Sequence, residues 1–148
     1  MYYCSIVWSN TTASNICKLQ AVKNFAARII TNSRKFDHVT PLRCELHWLP
    51  VKLHLFYRNA ILTFKCMNGM TPDYLSKKFV HRGSISRCCT RNSQSLNISL
   101  YKSTTGQRTF YYGAVSLWND LPVNIKTSTT LNIFNTNLRR HLFETIIL

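Results

Sequence analysis

The sequence predicts a mainly α fold, a small helical bundle with a short β-hairpin element in the C-terminal half. Three observations predict it. Apolar residues recur three and four apart through several long segments, the spacing that lines one face of a helix. Pro41, Pro50 and Pro72 stand where such segments begin, and Asn32 and Gly69 where two of them stop. Leu96 to Tyr101 and Arg108 to Tyr112 are short apolar and aromatic runs around Ser103-Thr104-Thr105-Gly106, a strand–turn–strand pattern. The chain has 148 residues, 45% of them hydrophobic, with three Trp, seven Tyr and eight Phe. That is enough for one domain with a real core, and it is not the composition of a disordered chain.

Residues 1–13 form a lead-in, apolar from Tyr2 to Trp8 and polar from Ser9 to Thr12. Ser14 or Asn15 can cap a first helix by accepting from its free N–H groups. Its apolar stripe is Ile16, Leu19, Val22, Ala26, Ile29 and Ile30, with Lys18, Lys23 and Arg28 off the stripe and Asn32-Ser33 at its end. Thr40 caps and Pro41 opens a second, short helix striped by Leu42, Leu46 and Leu49. Pro50 starts a third and stronger helix. Leu53, Phe56, Ala60, Phe64 and Met67 share one face, widened by Ile61, and Gly69 suits a left-handed cap. Thr71-Pro72-Asp73 opens a fourth helix ending near Val80, with an acid in its first turn. After the hairpin, Ala114 to Trp118 reads as one or two helical turns closed by Pro122. A final helix carries Leu131, Phe134, Leu138 and Leu142. The expected organisation is a lead-in at 1–13, a helical sub-lobe at 14–80, a basic polar linker at 81–95, and a hairpin-plus-helix sub-lobe at 96–148. No internal repeat is present.

The charge balance narrows the function. Nineteen Lys and Arg face five Asp and Glu, a formal net charge of +14. So large an excess repels itself and favours a polyanion; nucleic acid is the natural one, since phosphates take up Lys and Arg as condensed counterions leave. The six cysteines are read as reduced thiols, with Cys17, Cys44 and Cys66 as small buried hydrophobes inside helices. No secretory signal is read at Met1, so the glycosylation patterns at Asn10 and Asn97 carry no meaning, and no apolar run reaches a membrane span. An intracellular place, cytoplasm or nucleus, without membrane attachment is expected.

Catalytic readings are poor. Asp37, Asp73 and Asp120 stand alone in different elements, and no Asp-Asp pair exists to hold two Mg²⁺ ions. Asp73 suits its helix start and Asp120 a turn before Pro122; Asp37 suits a pairing with Arg34 or a cap. His38, His47, His54, His81 and His141 form no helical ligand pair, and Cys88-Cys89 form no Cys-x-x-Cys, so no metal and no cofactor is expected. Cys88, between Arg87 and Arg91, reads as a plain surface cysteine rather than an acidified thiol. Trp48 and Trp118 read as core anchors at corners.

Several tracts together resemble one family. They are Leu19-Gln20-Ala21-Val22-Lys23-Asn24-Phe25-Ala26-Ala27-Arg28-Ile29-Ile30, Lys35-Phe36-Asp37-His38-Val39-Thr40-Pro41 and Leu46-His47-Trp48-Leu49-Pro50-Val51. Pro72-Asp73-Tyr74-Leu75 follows, then Thr105-Gly106-Gln107-Arg108-Thr109-Phe110 with Leu117-Trp118-Asn119-Asp120-Leu121-Pro122. In this order they resemble the region after the polymerase core in reverse transcriptases of non-LTR retrotransposons, jockey-like elements and their relatives, from about Trp8 to Phe143. The resemblance implies a chain that begins downstream of the polymerase carboxylates, with no catalytic residues to transfer, and a parent enzyme that copies RNA into DNA. The zinc-knuckle motif of some relatives is missing.

The expectation is therefore a non-enzymatic module binding RNA or DNA with low sequence preference, with the missing polymerase core as a further partner. Its candidate contacts are Arg28, Arg34 and Lys35 at the end of the first helix, Lys77, Lys78, Arg82, Arg87 and Arg91 through the fourth helix and linker, Arg108, and Arg139 and Arg140 on the last helix. Phe36 is expected in the core; Tyr101, Tyr111 and Tyr112 are open between base stacking and half-burial. Two alternatives stand beside this: a truncated remnant with no autonomous function, and a basic module binding an acidic protein partner.

Overall fold

The computed structural model describes residues 2–85 and 93–147. Among them the chain folds into ten helices and no sheet: α1 (Ser5–Trp8), α2 (Ala13–Ile30), α3 (Val39–Glu45), α4 (Val51–Met67), α5 (Asp73–Ser76), α6 (Arg82–Ile85), α7 (Thr104–Gln107), α8 (Phe110–Asp120), α9 (Val123–Lys126) and α10 (Leu131–Ile147).

The axis is α4, because it is buried on more than one side. The stripe expected from its sequence, Ala60 and Phe64 with Leu53, Phe56, Ile61 and Met67, packs into the core. A second row, Val51, Leu55, Asn59, Thr63 and Cys66, is also buried. A helix buried over so wide an arc must be enclosed by others. Here α8 and α10 pack against it, as do α1 and α2. The centre is a three-ring cluster. Phe64 and Phe134 stack at 4.4 Å between ring centres, and Trp118 stacks on Phe134 at 5.9 Å. Each ring buried here stabilises by about 1.5–3 kcal/mol. Leu138 and Leu142 of α10 extend this core, as do Ala114 and Val115 of α8 and Ile125 of α9. The segments before and after the linker thus share one core.

Three long-helix and short-helix ends close in the same way. After α2, α3 and α4 a residue with positive φ reverses the chain: Asn32 (50°), His47 (51°) and Gly69 (67°). In each, the following N–H reaches back five residues, Ser33 to Arg28, Trp48 to Arg43 and Met70 to Lys65, at 2.8–3.0 Å. These bonds satisfy carbonyls that would otherwise face nothing.

The β-hairpin expected around residues 103–106 does not form. Ser103 caps α7, its hydroxyl accepting from the Gly106 N–H at 3.1 Å. Thr109 then leads directly into α8. The strand-like aromatic run is part of a longer repeat: Phe110, Tyr111, Ala114, Val115 and Trp118 together follow helical spacing, and that longer pattern prevails over strand propensity. Gly106 is required there, since a Cβ would lie 2.7 Å from the Tyr101 ring. Of the other expected strand, Leu96 alone pairs, in a single antiparallel bridge to His81. Asn119 completes that pairing from the other side. Its side chain accepts from the Leu96 N–H at 2.9 Å and donates to the Leu96 carbonyl at 3.0 Å.

Smaller corrections follow the same logic. Helix α5 stops at Ser76, short of Val80, and Thr40 lies inside α3 instead of capping it. Cys66 is buried as expected, whereas Cys17 is exposed and Cys44 half-buried; these and Cys4 are free thiols. Phe36 is not in the core but 91% exposed.

The most consequential departure is in α2. Its apolar stripe is only partly turned inward: Ile16, Leu19 and Ala26 are half-buried, whereas Val22, Ile29 and Ile30, with Phe25 beside them, are 58–66% exposed. The docked face holds Lys23 and Ala27, both buried, with Gln20 half-buried beside them. The reason lies in the N-terminus of α4, where Pro50 supplies no capping side chain. Gln20 supplies it from a distance, its Oε1 accepting from the Val51 N–H at 2.7 Å. One turn on, Lys23 donates to the Leu49 carbonyl at 2.6 Å. Polar bonds to the corner at residues 49–51 thus fix which face of α2 is turned inward.

Candidate functional site

That corner borders a cleft of about 400 Å³ lined by Tyr2, Val22, Lys23, Ala26, His47, Trp48, Leu49, His54, Tyr57 and Arg139. Five parts of the chain build it: the N-terminal segment, α2, the turn after α3, α4 and α10. The positive φ of His47 swings the chain round so that Trp48 and Leu49 form one wall and the His47 carbonyl points to α10. Arg139 of α10 donates to that carbonyl at 3.3 Å and lies 5.8 Å from the Phe143 ring. From α4, His54 supplies a surface on which the Tyr2 ring stacks at 3.8 Å, nearly parallel.

Lys23 is the chemical centre of the cleft. It is 8% exposed, and no carboxylate pairs with it. Its ammonium donates to the Tyr2 hydroxyl at 2.9 Å and to the Leu49 carbonyl, and lies 5.2 and 5.4 Å from the Tyr2 and Trp48 rings. Ring faces and carbonyl dipoles thus stand in for a counter-ion. Burial, aided by the Arg43 charge, pulls the Lys23 pKa down to about 8. Burial, with the charges of Lys23, Arg58 and Arg139, pulls His54 down to about 4, so it is neutral at physiological pH. Burial also raises the Tyr2 phenol. Among the described residues no carboxylate lines the cleft.

Of the cations expected from sequence, Arg139 alone among the described residues lines this cleft. Arg28, Arg34 and Lys35 gather at the end of α2. There Arg28 donates to the Asp37 carbonyl at 3.2 Å, and Asp37 accepts from the backbone N–H of Arg34, so it caps the turn and leaves the Arg34 guanidinium exposed. Lys35 lies over the exposed Phe36 ring at 5.7 Å. Lys77 pairs with Asp73 at 3.8 Å, both exposed. Lys78 borders a second cleft with Phe79, Tyr101 and Tyr111. In it Tyr111 is half-buried and donates to the Asn97 carbonyl at 2.9 Å, while Tyr101 and Tyr112 meet edge to face, also half-buried. Arg82 is half-buried, Arg108 and Arg140 are exposed, and Arg87 and Arg91, like Cys88 and Cys89, lie outside the described residues. Trp118 is buried in the core, and Trp48 is half-buried on the cleft wall.

Sequence reading missed Lys23, which it placed off the packing stripe, and Asn119. The available signal for Lys23 was its place three residues after Gln20 and four before Ala27, a small-and-polar stripe parallel to the apolar one. Among the described residues no group of His, Cys, Asp or Glu gathers where it could hold a metal ion, and no helix is long and apolar enough to cross a membrane. Comparison with protein-family models, curated proteins and solved structures finds no match.

Proposed function

We propose that this chain is a non-catalytic, basic helical module that binds RNA or DNA with little sequence preference, and that it corresponds to the region after the polymerase core of a non-LTR retrotransposon reverse transcriptase. One observation carries the binding reading. Against an excess of +14, the described residues contain a single ion pair, the exposed Lys77–Asp73 contact. Arg34, Lys35, Lys78, Arg108, Arg139 and Arg140 are exposed and have no carboxylate partner. Such cations can each neutralise a phosphate without an internal ion pair being broken first. The family assignment rests on the tracts quoted above. Gel-shift or anisotropy titration with a single-stranded oligonucleotide at low salt tests the reading; absence of binding there rejects it.

A second reading is favoured by the outer face of α2. Val22, Phe25, Ile29 and Ile30 form an exposed apolar row that monomeric proteins seldom leave bare. In this reading the row packs against a polymerase core, and the isolated chain is a remnant that associates through it. Sedimentation analysis across protein concentration discriminates: a monomer at all concentrations counts against the remnant.

A further inference from the structure

We infer that the cleft between α2, α4 and α10 receives one unpaired nucleotide of a bound single strand, its base against the aromatic wall and its phosphate toward Arg139. This deepens the nucleic-acid reading and rests on it. Three features point to such an occupant. The volume, about 400 Å³, lies within the ~300–1,000 Å³ typical of small-ligand sites. The lining joins the aromatic residues Tyr2, Trp48 and Tyr57 to apolar Val22 and Ala26, a mainly apolar surface suited to a flat, uncharged base. Among the described residues the charged groups of the lining are all cationic: Lys23 inside and Arg139 at the side, with no carboxylate.

Lys23 adds specificity to this picture. An ammonium carries three N–H donors, and the Tyr2 hydroxyl and Leu49 carbonyl take two. The third is left for an acceptor in the cleft, such as a base carbonyl or ring nitrogen. A buried cation without a counter-ion is costly, and an occupant bearing acceptors and a phosphate lowers that cost. The guanidinium of Arg139, held by the His47 carbonyl at 3.3 Å, keeps further N–H groups for a phosphate oxygen. In duplex DNA both base faces are stacked and the Watson–Crick edges are paired, so no base is free to enter, and the cleft selects for unpaired strands.

The test compares two strands of equal phosphate number, one made wholly of abasic units and one carrying a single base among them, binding to the full chain at fixed salt. The base is expected to raise affinity about tenfold, in line with stacking on aromatic side chains. Ala26→Phe, which fills the cleft from one wall, is expected to erase that increment. Equal affinities of the two strands for the unaltered chain overturn the cleft assignment while leaving phosphate binding intact, and so does a base increment that persists in a folded Ala26→Phe. Should Ala26→Phe not fold, the comparison on the unaltered chain decides alone. Failure of both strands to bind at low salt instead rejects the nucleic-acid reading itself, and the assignment with it.

Discussion

Individual polar side chains do much of the positioning in this molecule. Asn119 bridges both backbone groups of Leu96, a residue with no exposed surface, so its amide acts as the partner strand that the bundle lacks. Asn119→Ala leaves a buried N–H and carbonyl unsatisfied and is expected to cost about 2–3 kcal/mol in urea unfolding. Asn119→Asp, which can accept but not donate, should recover only part of that loss. His54 makes a pH-dependent contribution whose sign is fixed by burial. Its folded pKa, about 4, lies below the ordinary 6.5, so between those values the unfolded chain binds a proton that the folded chain refuses. Stability should therefore decline as pH drops from 6.5 toward 4, by on the order of 2 kcal/mol once solvent screening is allowed for. His54→Phe keeps a ring under Tyr2 and should flatten that acid limb in unfolding curves taken at several pH values. An unchanged slope would mean that another group causes it.

Whole helices show what periodicity reveals and what it hides. In α4 and α10 the apolar stripe read from sequence is the packed stripe, because nothing competes with Phe64, Phe134, Leu138 and Leu142 for the centre. In α2 the helix itself was legible and the docked face was not. Its inward face is chosen by Gln20 and Lys23 bonding to the corner at residues 49–51, partners distant in sequence. The cleft was illegible for the same reason, since Tyr2, Lys23, Trp48, His54 and Arg139 meet only after folding. In α8 strand-like composition concealed a helical repeat. The two faces of α2 should respond oppositely to substitution. Phe25→Ser and Ile29→Ser together are expected to change unfolding stability by only about 0.5 kcal/mol per site, and under the remnant reading to reduce association in sedimentation. Ala27→Leu, on the buried face, is expected to cost about 1–3 kcal/mol by overpacking, read from the shift in urea midpoint. A large loss from the serine pair with none from Ala27→Leu would mean that the helix docks the other way round.

The assembled molecule is a helical bundle with one core and a cationic surface that its own carboxylates barely offset. Like charges on so small a body repel, so moderate monovalent salt should raise the melting temperature even as it weakens binding to polyanions. Those opposite responses separate a charge-driven binder from a protein that simply salts out. The most direct measurement is the affinity of the full chain for a single-stranded oligonucleotide across a series of salt concentrations. A straight, steep decline of log K with log salt is expected, with a slope of about −0.7 for each phosphate contacted. A flat line, or no binding at the lowest salt, would contradict the claim that the unpaired cations serve to hold a nucleic-acid backbone.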